Sequence, residues 1–487
     1  MPLASLPSED GIGTFGKNAY KFIDYLASAG VKIWQILPLL PLSYGNSPYS
    51  PCASEAFCHY YIDLQTLGEQ GLLTAEEISS ANFGSDPRRI DYGALFSEKT
   101  KILKKAYRRF DKNSDEWRAF VAGGKYADYA VFMTLKERFS YRDSAEWREY
   151  KTFDNRLIAA FIGSNRDNYE FFLFTQYLCE KQWRALKAYA NENGVEILGD
   201  IPIYLARDSV EVWKYGKELF SLDDNETPSE VAGVPPDAFS EDGQLWGNPV
   251  YDWEKMKKNG YKWWKNRLNY CLSVYDIVRL DHFRGFDRYY CVKSGEKSAK
   301  NGEWKDGPKF GLFKDFTEAK IVAEDLGVID DGVRILMRET GYPGMKVMSF
   351  GLSGDPYSEH KPSNYPENCV GYTGTHDNEP LKVLFSDENP QKEIIEKDLK
   401  SECEKEGVKG SLKTVNAKIS AAIRLLLASK AFIAVIPFHD LKRFGEEARI
   451  NAPSVFSDKN WSFRYVPGDF DEQTKRRLKK WIKAYTR

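Results

Sequence analysis

Three short segments each run from an apolar stretch into an acidic residue: Ile277-Val278-Arg279-Leu280-Asp281, Ile321-Val322-Ala323-Glu324-Asp325 and Tyr372-Thr373-Gly374-Thr375-His376-Asp377. A buried parallel strand reads as such a run, and an α/β enzyme places its chemistry at the carboxyl ends of those strands. Three carboxylates at one rim suit work on a glycosidic bond, which needs a nucleophile, a proton donor and a stabiliser of positive charge. Strand alternation puts Arg279 and Asp281 on one face and Leu280 on the other. A cation beside Asp281 keeps it ionised, as a nucleophile requires. Glu324 would instead hold a proton near neutral pH, its pKa raised by burial or by Asp281 across a small barrel mouth. Asp325 is its internal competitor, with capping of the following helix as the structural alternative. His282 and His376 each flank an acid, where a neutral imidazole can hydrogen-bond sugar hydroxyls. Asp200, in Gly199-Asp200-Ile201-Pro202-Ile203-Tyr204, is a fourth acidic strand end, read either as a site residue or as a brace of the rim.

Such a rim needs a parallel sheet beneath it. Tyr20, Ile23 and Leu26 lie at helical spacing, Gly30 ends that helix, and Val31 to Leu37 reads as a strand. Phe171, Phe174, Leu178 and Leu186 form a second helical stripe, closed by Gly194 before a strand from Val195 to Ile203. Further strand candidates fall at about 276–281, 320–324, 345–350, 369–376 and 431–437, with a weaker one near 55–63. Eight strands alternating with helical sequence predict an α/β fold, a (β/α)8 TIM barrel rather than an open doubly wound sheet. The sheet would normally carry a Gly-rich turn after its first strand, whereas here Leu37-Pro38-Leu39 follows. Residues 1–487 then read as a single catalytic domain with helical insertions at 64–170 and 379–430 and a long active-site loop at 231–253. Within the first insertion, Thr74 and Glu77 have the spacing of a capping box. No all-β tail follows residue 440.

Bulk properties narrow the class. The chain has 487 residues, 42% of them hydrophobic, enough for a sizeable core. A net charge of −2 gives no reason to expect nucleic acid or an anionic membrane as partner. No stretch approaches the roughly 18 apolar residues of a membrane span, and Met1 to Gly11 lacks the pattern of a signal peptide, so the expectation is a cytoplasmic protein. Seven scattered cysteines without a C-x-x-C pair predict reduced, structural thiols, and Cys52, Cys58 and His59 lack the second ligand cluster a zinc site needs.

Seven motifs appear in order: Tyr44-Gly45-Asn46-Ser47-Pro48-Tyr49, GDIPIY at 199–204, GQLWGNPVYDW at 243–253, RLDHFRG at 279–285, AEDLG at 323–327, GTHDN at 374–378 and ARIN at 448–451. Together they resemble the 4-α-glucanotransferase family, the amylomaltases or disproportionating enzymes, from Leu6-Pro7-Ser8 to Trp461. The resemblance implies a barrel with helical insertions and no C-terminal β-domain, no metal and no cofactor. It also implies α-1,4-glucans and malto-oligosaccharides as partners, as in starch, glycogen or maltodextrin metabolism. Carried over, it implies Asp281 as nucleophile, Glu324 as general acid/base and Asp377 as transition-state stabiliser. It places Arg279, His282 and His376 beside the nucleophile as sugar contacts, and Ser47, Tyr49, Trp246 and Asn248 along the glucan cleft, with Asp200 and Asn451 among the substrate-binding positions. The chain departs from the family pattern at Glu379-Pro380, at Lys309 after Gly307-Pro308, and at His439.

Two rivals share the scaffold. A glucan-binding protein without catalysis would be expected to lose at least one of the three acids, and all are present. A metal-dependent lyase or isomerase would usually need a strand-end lysine or histidine base. Within glycosidic chemistry the alternative to transfer is an α-1,4-glucan hydrolase of the α-amylase type, and Val234-Pro235-Pro236-Asp237 belongs to a loop that could exclude water until an acceptor sugar binds.

Overall fold

The structure is a computed structural model and describes residues 1–236 and 240–487. Its strands are β1 (Ile33–Gln35), β2 (Glu196–Ile201), β3 (Glu230–Val234), β4 (Gln244–Pro249), β5 (Ile277–Leu280), β6 (Arg288–Lys293), β7 (Glu303–Asp306), β8 (Ile321–Ala323), β9 (Gly344–Val347), β10 (Cys369–Tyr372) and β11 (Ile433–Val435). Seven of them form one sheet in the order β1-β2-β5-β8-β9-β10-β11, every pair parallel. Alternation sorts their side chains into two layers. Leu198, Ile277, Val322, Met345, Val347, Val370 and Tyr372 pack with one another inside the curved sheet. Their neighbours Ile197, Val278, Leu280, Ile321 and Ala323 join the outer core shared with the helices. The inward set continues upward as Asp200, Arg279, Asp281 and Glu324, so one alternation rule serves both the core and the rim.

The α/β barrel architecture is as expected, but the strand near 55–63 does not form. That segment holds a short 3-10 helix, His59–Tyr61, and beside single backbone bonds to Leu39 and Phe15 its polar backbone groups find side-chain partners. Phe57 N–H donates to Gln176 Oε1 at 2.8 Å and Phe57 C=O accepts from Gln176 Nε2 at 2.9 Å. Asp63 N–H donates to Gln182 Oε1 at 2.8 Å. Two glutamines of the helix Arg166–Glu192 thus take over part of the role of a sheet ladder. The strand expected at 345–350 is also shorter, because a helical turn, Met348–Gly351, follows β9 directly.

The helix signals hold locally. The helix Lys17–Ala29 ends at Gly30 with φ 85°, and Gly194 at φ 73° turns the chain from Arg166–Glu192 into β2. Thr74 and Glu77 form the capping box. Between 64 and 170 lie six α-helices, from Leu64–Glu69 to Asn155–Ser164. Between 379 and 430, Lys392–Lys405 precedes the helix Val415–Ala428, whose Leu426 packs against Gly371 of β10, so its apolar half is a crossover helix on the sheet. The 231–253 segment is more ordered than a loop: β3 and β4 join β6 and β7 in an antiparallel sheet of order β4-β3-β6-β7. Asp237 of the expected loop lies outside the described residues. No strand follows β11 among the described residues, all seven cysteines are buried and free, and no helix there is long and apolar enough to cross a membrane.

Gly199 offers a direct test of this layering. A Cβ there would sit 2.2 Å from the Tyr275 ring on the outer face of β2. Gly199→Ala should therefore destabilise the protein by roughly 1–3 kcal/mol, the usual cost of overpacking, seen as a lower apparent unfolding midpoint. An unchanged midpoint would place Tyr275 elsewhere.

Candidate active site

At the carboxyl ends of β2, β5 and β8, one guanidinium links three acids. Arg279 Nη1 lies 2.8 Å from both carboxylate oxygens of Asp200 and 3.2 Å from Asp281 Oδ1, and its Nη2 lies 3.9 Å from Glu324 Oε2. Arg279 Nε faces the Met345 sulfur at 3.4 Å. Asp200 is fully enclosed, its Oδ2 also accepting the Tyr49 hydroxyl at 2.7 Å, whereas the Asp281 side chain keeps 22% of its surface open. The open carboxylate is thus the one that can meet a substrate, and the enclosed one aims the arginine.

Glu324 is held by backbone. Its Oε2 accepts the His282 N–H at 2.6 Å and its Oε1 accepts the Leu326 N–H at 3.1 Å. His282 has φ 48°, in the left-handed region that residues other than glycine seldom occupy, and this turn lies directly after Asp281. Strain of that kind persists where surrounding contacts over-determine it, and it clusters at functional sites. The His282 ring meets Trp246 edge to face at 4.9 Å and 81°, linking β4 of the antiparallel sheet to the barrel mouth.

The third acid arrives after β10. Asp377 Oδ1 accepts from Asn451 Nδ2 at 2.6 Å, and its Oδ2 lies 3.4 Å from His376 Nε2. The imidazole stacks on Tyr49 at 4.9 Å and 17°, with its Nδ1 3.4 Å from the Tyr49 hydroxyl. Tyr49 therefore joins the Asp377 group to the Asp200–Arg279 group.

The environment assigns different protonation states. Burial pushes Glu324 up to about 8, Asp281 adds to this, and Arg279 and the two N–H donors oppose it. Burial also raises Asp281, to about 6, opposed by Arg279 and reinforced by Asp200. Asp281 accordingly ionises first, and Glu324 keeps its proton as long as Asp281 is an anion beside it. Burial lowers His282 to about 3 and lowers His376 as well, so both imidazoles are neutral at neutral pH. Arg279 stays charged, since its acidic neighbours outweigh the cost of its burial.

The structure thus brings together Asp281, Glu324, Asp377, Arg279, Asp200, Tyr49, His282, His376, Trp246 and Asn451. Ser47 and Asn248 are occupied locally. Ser47 Oγ accepts the Tyr49 N–H at 3.2 Å, and Asn248 Nδ2 donates to Leu205 C=O at 2.7 Å and Ser50 Oγ at 3.2 Å. Asp325 points away from the mouth: it accepts the Met345 N–H at 2.6 Å and pairs with Lys346 at 3.3 Å. The next helix, Asp331–Thr340, is capped by Asp330 instead, so the capping role considered for Asp325 falls to another residue. Arg449 was not singled out by sequence; its Nη2 donates to Asp377 C=O at 3.1 Å and its Nε to Asn451 C=O at 3.0 Å. Its place in the ARIN motif beside Asn451 was the available signal.

An ionised carboxylate and a protonated carboxylic acid beside one cation, with a further carboxylate nearby, can cleave and re-form an acetal bond. Against this geometry, the family model for 4-alpha-glucanotransferase matches residues 1–468. The 4-alpha-glucanotransferase of Clostridium butyricum is 40% identical over 501 aligned residues, spanning 100% of both chains. That of Streptococcus pneumoniae (strain TIGR4) is 40% identical over 477, covering 95% of this chain and 92% of its own. Among solved structures, the amylomaltase from Streptococcus agalactiae in complex with acarbose superposes with a TM-score of 0.93 at 35% identity, covering 100% of this chain and 98% of that one.

The assigned protonation states predict a bell-shaped pH profile for kcat/KM. Activity rises as Asp281 loses its proton near 6 and falls as Glu324 loses its own near 8. Asp200→Asn removes an anion that raises Asp281, so the acid limb should move to lower pH. A limb that stays in place, or moves upward, would contradict this electrostatic coupling.

Proposed function

This chain belongs to the 4-alpha-glucanotransferase family, and within that activity we propose that it works by a retaining double displacement centred on Asp281. The observation that carries the reading is the shared guanidinium of Arg279, which reaches both Asp281 and Glu324. The ionised Asp281 attacks the anomeric carbon of the donor sugar as Glu324 protonates the glycosidic oxygen, and the reducing-side glucan leaves as an alcohol. The β-linked glycosyl ester on Asp281 is then attacked by the 4-hydroxyl of an acceptor sugar. Glu324, now a carboxylate, takes the hydroxyl proton, and the second inversion restores the α-linkage.

Asp377 acts as transition-state stabiliser. It carries negative charge close to where oxocarbenium character develops, and hydrogen bonds to ring hydroxyls strengthen as the sugar distorts. The neutral imidazoles of His282 and His376, together with Arg279 and the Trp246 ring, make the sugar contacts, and Asn451 fixes the Asp377 carboxylate. Asp200 works from behind, through Arg279. The substrates are α-1,4-glucans and malto-oligosaccharides, consistent with acarbose bound to the Streptococcus agalactiae relative, and we extend this to the glucans of starch and glycogen. The seven buried free thiols support a reducing, cytoplasmic location.

Incubation with maltotriose separates transfer from hydrolysis. Transfer yields glucose and longer oligomers with a constant number of reducing ends, whereas hydrolysis accumulates reducing ends. Asp281→Ala should lose at least about 10⁴-fold in kcat while remaining folded, because the covalent step has no substitute. A folded variant with normal turnover would contradict the assignment.

A further inference from the structure

Trp461 lies outside every helix and strand, yet its ring packs against two side chains of the Asp377 group. Its centroid is 5.8 Å from Tyr49 and 5.7 Å from His376, so the three rings form one cluster. The Trp461 backbone has φ 63°, a left-handed conformation that is a genuine outlier for so bulky a residue. Both of its polar backbone groups are tied down. Its N–H donates to Ile450 C=O at 2.7 Å, and its C=O accepts the Tyr92 hydroxyl at 2.8 Å. Ile450 leads directly into Asn451, whose N–H donates to His376 C=O at 3.1 Å and whose Nδ2 holds Asp377. The bond that fixes the indole therefore also fixes the strip that carries Asn451.

We propose that Trp461 is a positioning residue for glucan transfer, holding the His376 imidazole against Tyr49 and within reach of Asp377. The proposal rests on the roles of His376 and Asp377 given above and adds what keeps them in register. Rotation of an imidazole about its ring bond is soft, because that torsion has broad minima. Tyr49 covers one face of the ring at 4.9 Å, and Trp461 fills the space beside it. Without the indole the imidazole can swing, and its 3.4 Å approach to Asp377 and its bond to the donor sugar lose direction. Such bonds matter most in the distorted transition state, so the loss falls on kcat rather than on KM.

The test uses the full chain with maltotriose as donor and acceptor, and thermal unfolding as a check on folding. Trp461→Ala should lower kcat about 10- to 100-fold, the scale of a misplaced catalytic environment, with KM changed less than about 3-fold. Trp461→Phe, which keeps a ring, should recover most of the activity. If the alanine variant does not fold, Trp461→Leu carries the same expectation. Adding Trp461→Ala to His376→Ala should cost less than about 3-fold more, since the two act as a unit. A folded Trp461→Ala or Trp461→Leu enzyme with normal kcat would overturn the proposal, as would a raised KM at unchanged kcat or full additivity with His376→Ala. Normal activity of His376→Ala would instead remove the reading of His376, and this proposal with it, while leaving Asp281 and Glu324 untouched.

Discussion

A single cation organises the mouth of this barrel. Arg279 is buried and faces Asp200, Asp281 and Glu324 at once. A buried guanidinium is tolerable only when its charge is answered and its donors are used, and here Asp200 answers at two 2.8 Å contacts while Asp281 takes the next share. The enclosed Asp200 is what leaves Asp281 free to face the open cavity. A guanidinium paired with Asp281 alone would offset its charge and weaken the push of that charge on Glu324. Instead one arginine is shared between the enclosed Asp200 and the open Asp281, the proposed nucleophile.

The same sharing separates the two working acids. Both are raised by burial, but Arg279 lies 3.2 Å from Asp281 and 3.9 Å from Glu324, and the charge of Asp281 raises Glu324 further. Two carboxyl groups in one cavity cannot both ionise cheaply, and the one nearer the arginine wins. The proposed division between nucleophile and proton donor thus follows from position along adjacent parallel strands. Around them the excess of carboxylates over cations favours the positive charge that an oxocarbenium-like centre develops.

Much of this was legible because it is local. Arg279 and Asp281 share a face by simple alternation, and Gly30, Gly194 and the Thr74–Glu77 pair mark helix ends by conformational needs that depend only on neighbours. The segment at 55–63 was misread as a strand because its partners are Gln176 and Gln182, side chains more than a hundred positions along the chain. The order in 231–253 was missed only partly for the same reason: β3 pairs with β6 outside the segment, but also with β4 inside it. Asp325 looked as acidic as Glu324, and only the distant Met345 and Lys346 show that it faces the other way. Trp461 was legible only as the far end of the family resemblance, since its packing partners are the rings of the distant Tyr49 and His376.

The central claim is that Asp281 forms the covalent bond to the donor sugar, and trapping that ester tests it most directly. With Glu324→Gln and α-maltosyl fluoride, fluoride leaves without a proton donor, but the acceptor hydroxyl lacks its base, so the ester should accumulate. Peptide mass spectrometry should find one maltosyl unit on the peptide bearing Asp281. The same adduct on Asp377 or Asp200, or none despite fluoride release and an intact fold, would contradict the account.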